Sequence, residues 1–138
     1  MRQPDRVLEP GEVREPPGVA ILADDLIWAT RLSESVAVAG GLPRRVRRSA
    51  DLEQLTEGGV GLAIVDLTAR AYDGVGAVGV AAARGARVIA VGQHDDVELR
   101  RRAIAAGAER VYAYRKLFED GTAVLRAWIG SGAADGRP

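Results

Sequence analysis

Leu62-Ala63-Ile64-Val65, closed by Asp66, is the stretch whose reading decides the fold. Four apolar residues in a row, without polar alternation, read as a short strand buried on both faces, the habit of parallel sheets. Three further runs have the same character: Val19-Ala20-Ile21-Leu22-Ala23, Val88-Ile89-Ala90-Val91 and Val111-Tyr112-Ala113-Tyr114. Arg44-Arg45-Val46-Arg47-Arg48 is a fifth, weaker candidate.

Helical patterns fill the gaps. Ala29, Leu32, Val36 and Ala39 recur at helical spacing and stop at Gly40-Gly41. Leu52 and Leu55 mark a second helix that ends at Gly58-Gly59. Val75 to Ala86 forms a third, poor in helix propensity because of its glycines. Leu99, Ala103 and Ala106 line a fourth, with Asp95 as N-cap and Glu98 completing a capping box. Leu125, Trp128 and Ile129 form the stripe of a fifth, which starts near Asp120 or Thr122.

Strand followed by helix, five times over, implies a parallel sheet covered on both faces. The first, third and fourth strands are apolar on both sides and belong in the middle. The arginine-rich second and the Tyr-Ala-Tyr fifth suit edges, where one side meets water. The expected fold is therefore an α/β, flavodoxin-like (βα)5 three-layer sandwich with strand order 2-1-3-4-5. It spans residues 18–130, between a disordered or loosely packed N-terminal tail (1–17) and a disordered C-terminal tail (131–138).

Composition narrows the function. The 138 residues carry 19 basic and 19 acidic side chains, and a net charge of zero argues against nucleic acid as partner. Without cysteine there is no disulfide, thiolate metal site or thiol nucleophile; a lone His94 excludes histidine-rich metal and catalytic sites. Residues 1–18 lack the apolar core of a signal peptide, and Arg84 and Arg87 interrupt the apolar stretch 74–92, so no membrane segment is expected. A cytoplasmic location is expected.

In open α/β sheets ligands bind beyond the carboxyl ends of the strands, where strand order reverses. Strand 1 ends in Asp24-Asp25 and strand 3 in Asp66, so three carboxylates are expected at that crevice. An oxygen-seeking divalent cation, Mg²⁺ above all, would relieve their repulsion. An aspartate at a strand–helix junction also caps helices, and Asp25 alone suits that role.

Taken together, these residues resemble the receiver domains of two-component response regulators (CheY-like domains), over about Val19 to Ile129. The resemblance rests on the acidic pair Asp24-Asp25, on Asp66 after strand 3, on Asp73-Gly74 seven and eight residues later, and on Ala106-Gly107-Ala108 before strand 5. It implies that Asp66 is the phosphoacceptor, with Mg²⁺ on the three aspartates. It further implies a lysine at the end of strand 5, and a protein partner, either sensor kinase or downstream effector. Partner or homodimer contacts would use the helix 4–strand 5–helix 5 face, including Arg101, Tyr112 and Tyr114.

Departures from that pattern bear on mechanism. Gly92 stands where a Thr or Ser should read out phosphorylation, and Ala69-Arg70 replaces the usual Met-Pro pair. Either Tyr114 or Lys116 occupies the lysine position, depending on whether two extra residues are allowed. Lys116 is the one lysine beside 18 arginines, and a compact ammonium suits the pocket better than guanidinium, so a contact from Lys116 to Asp66 is expected.

The resulting expectation is a stand-alone, non-enzymatic pseudo-receiver acting by protein–protein contact, with an impaired phosphorylation switch. The alternative is a flavodoxin-like domain binding a small molecule or nucleotide in the same crevice. Gly74-Val75-Gly76-Ala77-Val78-Gly79 spells a dinucleotide fingerprint, but it lies too far past Asp66 to form the tight turn after a strand. His94 reads as a surface residue, Arg100-Arg101-Arg102 as a solvated helix face, and Trp28 and Trp128 as core or core edge.

Overall fold

The computed structural model describes residues 15–134. Five strands, β1 (Gly18–Leu22), β2 (Leu42–Val46), β3 (Leu62–Asp66), β4 (Arg87–Gly92) and β5 (Ala108–Ala113), alternate with five helices. The helices are α1 (Leu26–Val38), α2 (Ser49–Glu57), α3 (Gly74–Ala83), α4 (Val97–Ala106) and α5 (Tyr114–Ala134). All strand pairs are parallel and the sheet order is β2-β1-β3-β4-β5, as the strand compositions predict.

Alternate residues of the central strands feed two separate cores. Val19, Ile21, Leu62, Ile64, Ile89 and Val91 join Leu32 and Val36 of α1 with Leu125 and Trp128 of α5. Ala20, Leu22, Ala63, Val65, Val88 and Ala90 join Leu52 of α2, Val78 and Ala81 of α3, and Ala103 of α4. Each fully buried Val, Leu or Ile side chain contributes about 1.5–3 kcal/mol. The β2 edge tolerates Pro43 and exposes Arg44 and Arg45 because one side of that strand has no neighbour to hydrogen-bond.

The fingerprint glycines lie within α3. Asp73 caps that helix by accepting from Gly76 N at 3.0 Å, so a carboxylate already fills its mouth. Gly74 is required by packing: a Cβ there would lie 2.9 Å from Leu67 Cα. Gly107 closes α4 at φ 127°, a conformation side chains rarely adopt.

Several boundaries differ from expectation. β2 spans 42–46 rather than 44–48, and α3 ends at Ala83. The N-cap of α4 is Asp96, not Asp95, since it is the Asp96 carboxylate that accepts from Leu99 N. The chain leaves the sheet at Ala113, so Tyr114 opens α5 instead of ending β5. Asp120 is not the start of α5 but a non-helical residue (φ −122°, ψ 20°) joining its two helical stretches. α5 continues to Ala134, past the domain end expected at 130. Residues 1–14 and 135–138, which make up most of the two expected tails, lie outside the described residues.

Candidate functional site

The carboxyl ends of β1 and β3 are brought together because Leu22 pairs with Val65. Asp24, Asp25, Trp28, Asp66, Thr68, Ala69, Arg70 and Tyr114 line one cavity there, of about 670 Å³. It lies where strand order reverses.

Asp66 is its buried acid, 4% exposed. Its Oδ1 accepts from Thr68 N at 3.0 Å and from Thr68 Oγ1 at 3.0 Å, an Asx-turn that follows from an aspartate two residues ahead of a threonine. The same oxygen accepts from the Tyr114 hydroxyl, which is also within hydrogen-bond reach of Thr68 Oγ1. The Trp28 ring meets Tyr114 edge to face, with centroids 5.0 Å apart at 74°. Tyr114 is thereby fixed from two sides. Burial first, then the hydrogen bond to Asp66, raise its phenol above the ordinary range.

Tyr72 was invisible as a site residue in the sequence. Its hydroxyl shares one proton between the carbonyls of Asp66 (2.7 Å) and Leu22 (3.0 Å), tying β3 to β1 just below the cavity. Burial, followed by the charge of Asp66, raises this phenol as well.

The other two carboxylates turn elsewhere. Asp25 Oδ1 accepts from Trp28 N at 2.9 Å and caps α1. Asp24 Oδ1 stands 3.5 Å from Arg47 Nη2, an exposed pair of little energetic weight. Among the described residues no group of three His, Cys, Asp or Glu side chains could hold a metal ion. Asp24, Asp25 and Asp66 nevertheless line one cavity, as expected. A helix cap, an ion pair and three hydrogen bonds engage these carboxylates.

Lys116 does not reach Asp66. Two residues into α5 its side chain is on the far side of the helix from Tyr114, and its Nζ pairs with Asp120 Oδ2 at 3.1 Å on the exposed surface. Tyr114 holds the position at the end of β5. Gly92 is buried, yet a Cβ built on it would meet Leu67 Cδ1 at 3.5 Å, ordinary contact. No crowding demands the glycine; a hydroxyl is simply missing.

Of the expected interaction face, Arg101 is exposed and paired with Glu98, while Tyr112 is half-buried against the α1–α5 core. Tyr114 lines the cavity. His94 is exposed. Among the described residues no helix is long and apolar enough to cross a membrane.

No family model matches this chain, and no curated protein matches it. Solved structures do. A Francisella response-regulator receiver domain aligns at TM-score 0.71 and 13% identity, over 84% of this chain and 98% of its own. The receiver domain of the putative response regulator NarL from Mycobacterium tuberculosis aligns at 0.69 and 17%, over 90% of this chain and 100% of its own. A Burkholderia pseudomallei response regulator, solved with a phosphorylated aspartate, calcium and citrate, aligns at 0.68 and 17%, over 86% of this chain and 72% of its own. The chain has the fold of response-regulator receiver domains.

Proposed function

We propose that this chain is an atypical receiver-like signalling domain in the cytoplasm. It works through contact with a protein partner, a sensor kinase or a downstream effector, and its aspartate switch is impaired. The observation that carries this role is the Tyr114 hydroxyl on Asp66 Oδ1. A phosphoryl-accepting pocket needs a cation beside the acceptor to neutralise incoming negative charge. Here a phenol whose proton is held tightly occupies that place, and Lys116 is engaged elsewhere. Gly92 offers no hydroxyl to bond a phosphoryl oxygen. Partner and homodimer contacts are assigned to the α4–β5–α5 face, where Arg101 is exposed and Tyr112 half-buried. The test is incubation with Mg²⁺ and a small acyl phosphate donor, an acid quench, and intact mass. This role predicts the unmodified mass; full conversion to a species heavier by one phosphoryl group contradicts it.

A further inference from the structure

β2 forms the edge of the sheet opposite β5, and Arg44, Arg45, Arg47 and Arg48 on or just after it are all exposed. Local acids answer only two of them. Arg47 stands 3.5 Å from Asp24 and Arg48 3.2 Å from Asp51. Among the described residues neither the Arg44 nor the Arg45 side chain has a carboxylate partner. Successive residues of a strand point to opposite faces, so these two set one guanidinium on each side of the edge. Such a surface attracts negative charge.

The backbone of the same edge is open. Leu42 N donates to Pro17 O at 2.8 Å, and Val46 O accepts from Ala23 N at 3.2 Å. Leu42, Arg44 and Val46 therefore turn their peptide groups toward β1, while Pro43 and Arg45 turn theirs outward. Pro43 has no N–H, which leaves the Arg45 N–H as the outward donor and the Pro43 and Arg45 carbonyls as the outward acceptors. Leu42 adds an apolar side chain that is 49% exposed.

Three kinds of occupant are compatible with the charge, and the observations favour one. A second copy would set arginines against arginines, which repel. A nucleic acid would use the guanidiniums but leave the outward peptide groups unbonded, and the chain has no net positive charge. An extended acidic segment of a protein uses both features.

We propose that the β2 edge docks an extended acidic segment of a partner protein. The segment adds as a strand alongside Pro43, Arg44 and Arg45, with its carboxylates on the two arginines and its backbone on Arg45. Arg47 and Arg48 add longer-range attraction. The inference goes beyond the signalling role, since it concerns the opposite edge of the sheet from β5 and no readout of it involves phosphoryl transfer.

The probe is a short blocked oligoglutamate carrying a fluorophore, titrated with the whole chain at low and at physiological salt. Saturable anisotropy is expected, weakening as salt rises. Arg44→Ser/Arg45→Ser should weaken binding about fivefold or more, and Arg44→Lys/Arg45→Lys much less. Arg102→Ser, at an exposed arginine of α4, should leave it unchanged. Amide exchange read by NMR separates strand addition from diffuse attraction. The Arg45 N–H should gain protection when peptide binds, while the Leu42 N–H, already bonded to Pro17, should not change. The proposal is overturned if oligoglutamate gives no saturable binding or if the double serine variant binds as wild type does. It is equally overturned if the Arg45 amide stays unprotected at saturation, or if an oligothymidylate of equal charge binds more tightly.

Discussion

Tyr114 donates its phenol proton to Asp66 across 48 residues of sequence, and this bond joins the start of α5 to the end of β3. Without it the buried Asp66 Oδ1 would keep only the two Thr68 donors. Tyr114→Phe is expected to lower stability by about 1 kcal/mol, read as a shifted urea midpoint with unchanged slope. The Trp28 environment should change with it, since the two rings are in contact.

Tyr72→Phe tests the tie between β1 and β3. It leaves the carbonyls of Leu22 and Asp66 without their hydroxyl donor, and about 1–2 kcal/mol of stability should go with it. The same phenol predicts a pH dependence. Its proton is held more tightly folded than unfolded, so its contribution is intact below the ordinary value of 10.0 and is lost as pH rises above it. Urea midpoints between pH 8 and 11 should fall less steeply in Tyr72→Phe than in wild type.

Two glycines of α3 should respond oppositely to alanine. A Cβ on Gly79 would meet Ala106 Cβ and O no closer than 3.9 Å, so Gly79→Ala should stabilise by about 0.5–1 kcal/mol through helix propensity. A Cβ on Gly74 would lie 2.9 Å from backbone at Leu67, so Gly74→Ala should destabilise by about 1–3 kcal/mol. Thermal melts of the two variants decide the sign of each.

Asp25 acts as a helix cap, and that separates it from a metal ligand. Asp25→Ala should cost about 1 kcal/mol, while Asp25→Asn, which can still accept from Trp28 N, should cost far less. A metal ligand would show the reverse concern, with both variants abolishing a Mg²⁺-induced change in Trp28 fluorescence.

The sheet was legible in the sequence because β1, β3 and β4 are buried on both faces and β2 is charged. Composition alone then orders the strands. The cavity was legible in part, since Asp24, Asp25, Asp66 and Tyr114 do line it. Distances along the chain said less about orientation. Tyr112-Ala113-Tyr114 alternates like a strand to its end, and nothing in that pattern marks where the backbone leaves the sheet. Lys116 lies two residues from Tyr114, but in a helix two residues turn a side chain to the far side. Asp95 and Asp96 offer the same cap, and only backbone angles choose between them. Tyr72 carries no local signal, because its partners are carbonyls of two strands rather than side chains.

On the proposed role, Tyr114 in place of a cation impairs phosphoryl acceptance at Asp66, and Gly92 leaves the phosphoryl oxygen without a hydroxyl donor. The direct measurement is acid-quenched intact mass after Mg²⁺ and a small acyl phosphate, on wild type beside Tyr114→Lys/Gly92→Thr. Unmodified wild type together with a variant that gains one phosphoryl group, lost again in Asp66→Asn, is the predicted result. Equal phosphorylation of wild type and variant would contradict it.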